Sequence, residues 1–451
     1  MRILKKAIQR DYTKEEKKIE SDRERKYTKE IELQITLARI EEIRQNSVDL
    51  INKNIKRMQR APNRPKEMEY YDERAEFFVK RVEEIQQLKN SGKKVIGTLC
   101  TFAPSELIRA TDAIPIRICS GFYEVVQPAN DLLADATLCP LVKSTLGMKI
   151  AKLSPYFELC DIVISPVTCD GRMKLGEILE DYLPVWKINV PKVKDSEQAK
   201  KFWYTEIKEL KERLERFTNI KISKGKLKKS IVLSQRAQNI FRRLYNLRKA
   251  EKTPIWGRDA LLVSQTQFYD DLNSWVASTE KLCNELERRV KNRIGVCDAT
   301  TPRIMLAGSP IIWPNWKLLN IIEEGGGIIV CDELCSSTRN FYDPIVVDEW
   351  TLKGMLLALA DRYLLPCTCP CFTPNDERID RILEMIKDFK VGGIVYHTLQ
   401  GCHLHNLEFT RIKQALRETN IPILKIESGY DEGDVGQIKT RVEAFLEMIT
   451  F

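Results

Sequence analysis

The N-terminal part of the chain alternates charged and apolar positions with a helical period. Leu33, Leu37 and Ile40 fall at i, i+4 and i+7, and Ile43 continues this apolar stripe, a spacing that lines one face of an α-helix. Glu, Lys and Arg occupy most of the intervening positions, as exposed helix faces require. The segment APNRP at 61–65 interrupts the pattern, because proline breaks or kinks a helix. We predict two long helices that either pack on the body of the protein or mediate dimer contacts.

From Lys93 onward, short apolar runs alternate with helical stretches. Runs such as KKVIGTLC, IPIRIC and GGGIIVCDELC predict strands, and strands that alternate with helices are typical of a parallel α/β sheet. The predicted fold class is therefore α/β, with two Rossmann-like parallel-sheet domains, helical insertions and a charged helical N-terminal extension. The extension covers residues 1–90, the first domain 91–298 with a helical region at about 194–295, and the second domain 299–451.

Composition and charge narrow the functional classes. The net charge is +9, with the densest basic stretch between Lys221 and Lys252. We interpret this stretch as the solvated face of a helix, and a nucleic-acid surface is the alternative. The sequence has no apolar run of the length that a transmembrane helix needs and its first residues lack a secretory signal pattern. We therefore expect a cytoplasmic protein.

The cysteines carry the clearest chemical signal. The chain has 13 of them, an odd number that argues against complete disulfide pairing in a reducing compartment. Cys160 and Cys283 lie in ordinary apolar patterns and are predicted to be core residues. Other cysteines stand just after predicted strands, where loops of parallel α/β folds form binding sites. These are Cys100, Cys169, Cys335 and Cys402.

The thiol spacing favours iron–sulfur chemistry over zinc. The segment LPCTCPCFTPN holds Cys367, Cys369 and Cys371, and clustered thiols in a cytosolic chain favour soft metals or iron–sulfur clusters. Zinc sites commonly use CxxC pairs, and no CxxC occurs in the sequence. For the first-domain cysteines, including Cys139 in LCPLVK, the spacing leaves both a cluster site and a scatter of core thiols open.

The three histidines of the chain lie close together around Cys402. They are His397, His403 and His405. One interpretation is a proton source beside a redox centre, because imidazole titrates near neutral pH. The other is a polar loop in which the histidines are incidental.

Several segments resemble one enzyme superfamily. GTLCTFAPSELIRATDAIPIRICSG resembles the opening motif of the 2-hydroxyacyl-CoA dehydratase and benzoyl-CoA reductase superfamily. LADRYLLPCTCPCFTPN, KVGGIVYHTLQGC and DVGQIKTRVEAFLEMI are similar to its double-cubane branch. The resemblance extends from about Lys93 to the C-terminus and covers the charged extension less well.

This resemblance implies a homodimer of subunits with two Rossmann-like domains and a cofactor. In the double-cubane branch, two [4Fe-4S] cubanes joined by a bridging sulfide form an [8Fe-9S] cluster, and three cysteines hold each cubane. The implied ligands are Cys100, Cys139 and Cys169 in the N-terminal half and Cys335, Cys371 and Cys402 in the C-terminal half, with Cys369 as the alternative to Cys371. Glu106 and Arg339 could orient ligands or the cluster. Their alternative interpretations are a helix-start acid and a solvated loop cation.

The implied activity is the ATP-driven reduction of a small substrate by an iron–sulfur reductase. Electrons would come from a separate ATP-hydrolysing iron–sulfur activator, and the chain has no GxxxxGK[ST] loop of its own. One alternative is a 2-hydroxyacyl-CoA dehydratase component with a single [4Fe-4S] cluster that acts on an acyl-CoA thioester. Another is a non-catalytic protein that binds a metal or nucleic acid.

Overall fold

The computed structural model describes residues 37–76, 80–133 and 137–450. In these ranges the chain forms two four-stranded sheets, each flanked by helices. The first sheet consists of β1 (Val95–Thr98), β2 (Ile114–Arg117), β3 (Ile162–Val167) and β4 (Val185–Asn189). The second consists of β5 (Arg303–Gly308), β6 (Ile328–Glu333), β7 (Gly393–Leu399) and β8 (Ile423–Ser428).

Both sheets have the same topology. The strand orders are β2-β1-β3-β4 and β6-β5-β7-β8, and all neighbouring strands are parallel. This confirms the predicted α/β fold class with two Rossmann-like domains. In such sheets the carboxyl ends of the strands meet at one edge, where binding sites form.

Helices account for most of the remaining described chain. In chain order they are α1 (Leu37–Gln59), α2 (Glu69–Ala75), α3 (Lys80–Asn90), α4 (Ser105–Ala110), α5 (Val126–Leu133), α6 (Pro140–Ile150), α7 (Pro155–Leu159), α8 (Asp170–Ile178), α9 (Glu197–Thr218), α10 (Lys224–Leu247), α11 (Gly257–Thr266), α12 (Leu272–Lys291), α13 (Lys317–Glu324), α14 (Leu352–Leu364), α15 (Asp376–Asp388), α16 (His403–Ala415) and α17 (Val435–Thr450). None of the helices in the described ranges combines the length and the apolar character needed to cross a bilayer.

The N-terminal extension packs on the body of the protein. Helix α1 ends at Gln59, just before the proline-containing segment, as predicted, and its apolar stripe buries Ile51 and Ile55. The Asn54 side chain of α1 donates to the carbonyl of Pro314 at 2.8 Å. After the break, the structure contains two shorter helices, α2 and α3, where we predicted one long helix. Leu33 lies outside the described residues, and the role of the extension in a dimer remains a prediction.

The helical region between the sheets joins the two halves. Helix α9 packs on α14, and the Trp203 indole donates to the carbonyl of Ala360 at 3.0 Å. Helix α10 buries an apolar stripe that includes Leu227 and Ile231. Lys224 and Lys228 lie exposed on its opposite side, as the solvated-face interpretation of the basic stretch expects.

Candidate functional site

The cysteines that sequence placed after strands do lie at the carboxyl edges of the sheets. Cys100 follows β1 and Cys335 follows β6, while Cys169 and Cys402 occupy the N-cap positions of α8 and α16 after β3 and β7. Cys139 is the N-cap residue of α6. All five side chains are partly buried. Cys100 has a φ of 68°, which is uncommon for a residue with a Cβ and is often seen at functional sites.

A glycine allows the loops of the two domains to approach each other. Gly401 has a φ of 70°, and a Cβ at this position would lie 2.1 Å from the carbonyl oxygen of Thr137 and 3.1 Å from the backbone nitrogen of Cys139. Any larger residue would therefore push the loop after β7 away from the first domain. The glycine brings Cys402 of the second domain next to Cys139 of the first.

The first group of thiols contains Cys139, Cys169 and Cys402. Burial and then the neighbouring Cys402 thiol raise the pKa of Cys139 to about 12, and Cys169 adds to this effect. Burial also raises the pKa of Cys402, to which the Cys169 and Cys369 thiols contribute. The three sulfurs are thus electrostatic neighbours, although Cys402 belongs to a different domain from the other two.

The second group contains Cys100, Cys335 and Cys369, and three further thiols interact with its members. They are Cys119, Cys367 and Cys371. Burial and then the Cys369 thiol raise the pKa of Cys100. Burial raises the pKa of Cys335 to about 12, and both Cys100 and Cys369 contribute in the same direction. Each group therefore combines thiols from both domains, whereas the resemblance had divided the ligands by halves of the chain.

Within CTCPC, the neighbours favour Cys369 over Cys371. A hydrogen bond from the Cys371 thiol is the largest cause that lowers the pKa of Cys369 to about 6, and Arg339 acts in the same direction. The same hydrogen bond, together with burial, raises the pKa of Cys371 well above its ordinary value. Cys369 is also the member of this run that raises the pKa of Cys100, Cys335 and Cys402, so it is the better ligand candidate, although the sequence placed Cys371 first.

A buried guanidinium, Arg172 on α8, lies among the first-domain thiols. Its Nη2 contacts the Cys119 sulfur at 3.8 Å, and its Nη1 is buried without a hydrogen-bond partner. Burial opposes the charge of Arg172, but the thiols of Cys119, Cys100 and others outweigh it and raise the pKa of the guanidinium. Sequence reasoning missed both Arg172 and Cys119. The missed signal was that Cys119 follows β2 as Cys100 follows β1.

A second buried cation, Arg339, belongs to an ion-pair cluster. Its guanidinium binds the Glu333 carboxylate, with Nη2 at 3.0 Å from Oε2, and Arg378 donates to the same carboxylate at 2.8 Å. Arg339 is 7% exposed, so its interpretation as a solvated loop cation is wrong. Burial opposes the charge of Arg339, but Glu333 and then the thiols of Cys335 and Cys369 raise the pKa of its guanidinium.

The other predicted orienting residue, Glu106, lines a cavity beside the thiols. Its carboxylate accepts a hydrogen bond from the Tyr363 hydroxyl at 2.8 Å and lies 3.5 Å from Arg109. Glu106 is in the first turn of α4, as the alternative interpretation expected, but it is buried. The cavity has a volume of about 80 Å3 and also contacts Thr101, Arg339 and other polar groups.

Two of the three histidines do not fit the proton-donor hypothesis. His397 lies in strand β7 and not in the loop, its Nε2 is 2.9 Å from the Ser428 hydroxyl, and burial lowers its pKa to about 4. Burial also lowers the pKa of His405 well below its ordinary value. Both rings are therefore neutral at neutral pH. His403 is exposed at the start of α16, and the proton-donor role remains a prediction for this residue.

The buried His397 predicts a pH dependence of stability. Because its pKa is lower in the folded chain than in the unfolded chain, the unfolded chain binds more protons below about pH 6.5, and stability falls as the pH falls. We expect His397→Gln to remove about 2 kcal/mol of the wild-type loss between pH 7 and pH 5. Anaerobic denaturant unfolding at both pH values measures this, with His403→Gln as the exposed control. An unchanged pH slope in His397→Gln would contradict the assignment.

The donor set fits an iron–sulfur cluster. The two groups supply six thiols, and iron–sulfur clusters are held by cysteine thiolates. Buried anionic sulfur needs compensating charge and hydrogen-bond donors, and Arg172 and Arg339 each have a buried Nη1 without a partner. In the part of the chain that the structure describes, no three His, Cys, Asp or Glu side chains lie close enough together to hold one metal ion. The fit therefore depends on the number and chemistry of the thiols and on the charges around them.

Comparisons with known proteins agree on the family. The family model of the 2-hydroxyglutaryl-CoA dehydratase D-component matches residues 100–449. A putative dehydratase subunit, YjiM, of Escherichia coli strain K12 is 32% identical over 373 residues, which cover 81% of this chain and 94% of that protein. The beta subunit of (R)-2-hydroxyglutaryl-CoA dehydratase of Acidaminococcus fermentans is 23% identical, with 81% and 95% covered. One of the benzoyl-CoA reductase subunits of Thauera aromatica is 20% identical, with 79% and 91% covered. The fold, the thiols and these matches together establish that the chain belongs to the 2-hydroxyglutaryl-CoA dehydratase D-component family, within the superfamily of dehydratases and benzoyl-CoA reductases.

Proposed function

We propose that this chain is an iron–sulfur reductase that uses a double-cubane [8Fe-9S] cluster to reduce a small substrate. The observation that carries the proposal is that six thiols from both domains come together at the carboxyl edges of the two sheets. In the double-cubane branch that the sequence resembles, three cysteines hold each cubane, so six thiols fit a pair of cubanes.

The proposed ligands are Cys139, Cys169 and Cys402 for one cubane and Cys100, Cys335 and Cys369 for the other. When bound, such a cluster would supply low-potential electrons, whose potential depends on burial and on hydrogen bonds to its sulfurs. The chain's own contribution is the surrounding charge. Arg172 and Arg339 offset the anionic sulfur in a buried site, which favours binding of the cluster and makes its reduction easier.

The proposed partner is a separate ATP-hydrolysing iron–sulfur activator. The support is that the sequence lacks the phosphate-binding loop GxxxxGK[ST] and that the similar proteins carry names of enzyme subunits. A homodimer is proposed with it. Turnover of a reducible substrate should then need both proteins and ATP, and ATP-dependent turnover by the highly purified chain alone would overturn this part of the proposal.

The iron content of the anaerobically purified protein tests the cluster directly. We expect a brown, oxygen-sensitive protein with about eight irons per chain, because two [4Fe-4S] cubanes contribute four each. Iron and acid-labile sulfide analysis, combined with EPR of the reduced protein, measures this. A colourless protein that binds zinc when purified without oxygen would refute the proposal.

A dehydratase component with one [4Fe-4S] cluster is the second candidate. It is favoured by the names of the relatives, two of which are a putative dehydratase subunit and a subunit of a 2-hydroxyglutaryl-CoA dehydratase. About four irons per chain would support this candidate. In that case a dissimilar partner subunit and an acyl-CoA thioester substrate would be expected.

A further inference from the structure

The cavity beside Glu106 is unusually rich in arginine. It lies at the carboxyl edge of the first sheet, between Thr98 and Thr101 on one side and helices α10 and α14 on the other. Four arginines line it, and they come from different parts of the chain. They are Arg109, Arg117, Arg339 and Arg362.

Each of these arginines has a buried nitrogen without a hydrogen-bond partner. The unpartnered atoms are the Nε of Arg109, Arg117 and Arg362 and the Nη1 of Arg339. A buried donor without a partner costs free energy, more so when it is charged. The four nitrogens are themselves shielded from solvent, so an anionic ligand is indicated by the charges of the guanidinium groups that line the cavity.

The charges at the cavity are unbalanced. Glu106 faces Arg109, and Glu333 binds Arg339. Arg362 donates to the backbone carbonyl of Asn340 at 2.8 Å.

Arg117 also has uncharged partners. It donates to the Asn340 side chain at 2.8 Å and to the Cys335 carbonyl at 3.4 Å. Its guanidinium stacks on the Phe268 ring, with 3.9 Å to the ring centroid. In the described ranges, neither Arg117 nor Arg362 forms a salt bridge with a carboxylate. Two of the four cations are thus left for an anionic ligand.

We propose that this cavity binds the carboxylate group of a small, free monoanionic ligand. Guanidinium groups bind carboxylates through paired hydrogen bonds. The charge balance alone would accept a dianion, but the small volume of the cavity favours a monoanion with few atoms. The thioester of a short monocarboxylic acid has lost its carboxylate charge and would leave the cationic charge unpaired, so the proposed ligand is the free acid.

The size of the cavity agrees with a ligand of few atoms. An engineered apolar cavity of about 150 Å3 holds benzene, and the present cavity measures about 80 Å3. The space therefore holds about three or four non-hydrogen atoms by this comparison, which is the size of acetate.

A neighbouring cleft adjoins this cavity. This cleft of about 260 Å3 shares Arg109, Pro115, Gln267 and Leu272 with the cavity, and it also contacts Lys93, Lys226 and Lys229. Three aspartates line it as well, and one of them, Asp112, pairs with Lys226. Lysines in this neighbouring cleft attract small anions from solution.

The inference deepens the proposed function, since a ligand in this cavity would lie beside Cys367 and Arg339, next to the second group of thiols. The anion-site proposal and the redox proposal can be tested separately. Binding of an acid is measured by calorimetry on protein whose iron content is known. Full iron without acetate binding would refute the anion site and leave the redox proposal intact, whereas acetate binding without iron would do the reverse.

The test is titration of the anaerobically purified protein with sodium acetate at constant ionic strength. We expect saturable binding at one site per chain. Arg117→Gln and Arg362→Gln should each weaken it by about tenfold or more, because each removes charge-assisted hydrogen bonds. Arg362→Lys keeps the charge but loses the planar fork, so it should bind acetate more weakly than the wild type while folding normally.

A control variant separates this site from a general effect of positive charge. Arg411→Gln removes an exposed cation that pairs with Asp376 on the outside of α16, and its acetate affinity should equal that of the wild type. Three results would overturn the proposal. The first is equal acetate affinity in all variants, and the second is tighter binding of inorganic phosphate than of acetate. The third is that the protein binds acetyl-CoA but not acetate, and that Arg362→Lys weakens the binding of acetyl-CoA.

Discussion

Replacing Cys369 by serine is expected to remove roughly half or more of the bound iron, whereas Cys371→Ser should leave the iron content unchanged. The two residues are close in sequence, and both side chains lie near the same thiols. They differ in their neighbours. Cys369 raises the pKa of Cys100, Cys335 and Cys402, and Arg339 lies beside it.

The physical reason for the expected loss is ligand softness. Serine keeps the size of the side chain but replaces the soft thiolate by a hydroxyl that is protonated at neutral pH, and iron in these clusters binds thiolate. The same result is expected for serine variants of the other members of the two groups. They are Cys100, Cys139, Cys169, Cys335 and Cys402.

Two core thiols provide matched controls. Cys283 is buried, and its sulfur faces the carbonyl of Ile240 at 3.8 Å, while Cys160 contacts the carbonyl of Tyr156 at 3.1 Å. Cys160→Ser and Cys283→Ser should keep the full iron content of the wild type. Equal iron in the Cys369→Ser variant and these controls would contradict the ligand assignment. Loss of iron in Cys371→Ser alone would support Cys371 as the ligand, as the sequence analysis placed it.

The sequence predicted the fold and the position of the cysteines well, for a simple physical reason. Buried parallel strands are continuous apolar runs that end at polar or glycine-containing loops, so the ends of β1, β3, β6 and β7 could be located without a structure. A cysteine next to such an end, such as Cys100 or Cys402, must then lie at the carboxyl edge of a sheet. Core cysteines were recognised by the same argument, because Cys283 lies within a helical apolar stripe.

The grouping of the thiols could not be predicted from sequence. It depends on how closely the two domains approach, and that approach depends on Gly401 and its contact with the backbone near Cys139. Nothing in the sequence around Gly401 distinguishes it from a glycine in an ordinary turn. The histidines illustrate the opposite error. Their proximity in sequence suggested one functional loop, but β7 buries His397 and the first turn of α16 buries His405.

Charged residues were the least predictable part of the site. The sequence left two interpretations of Arg339 open, an orienting residue and a solvated loop cation. The second was considered because charged side chains are rarely fully buried. In the structure Arg339 and Glu333 are buried because they neutralise each other, with Arg378 as a further partner of Glu333. A single sequence does not reveal such pairs when the partners are 6 and 45 positions apart.

Glu333→Gln is expected to destabilise the protein by about 3–5 kcal/mol, because it removes one partner of a buried ion-pair cluster. The Glu333 carboxylate accepts hydrogen bonds from Arg339, Arg378 and the Thr368 hydroxyl. A glutamine amide has one acceptor oxygen and an NH2 group that meets the guanidinium donors. Arg378 retains Glu408 as a partner, but Arg339 is left charged and buried.

The pH dependence follows from the same contacts. Although burial opposes it, Arg339 and Arg378 lower the pKa of Glu333 below its ordinary value. The carboxylate therefore stabilises the folded chain above the unfolded pKa, and this contribution is lost as the pH falls through the lower, folded-state pKa. The Glu333→Gln variant should lack this part of the acid sensitivity.

The denaturant midpoint at neutral pH and the iron content measure the effect of Glu333→Gln together. Asp343→Asn is the matched control, because it also removes a carboxylate from an arginine, Arg381, but at a pair that is partly exposed to solvent. Such pairs contribute about 1 kcal/mol or less. Since Arg339 lies beside Cys335 and Cys369, misplacing its side chain should also reduce iron binding, which the control variant should retain. If Glu333→Gln shifted the midpoint no more than Asp343→Asn and kept its iron, the buried carboxylate would not be what holds Arg339 against the thiols.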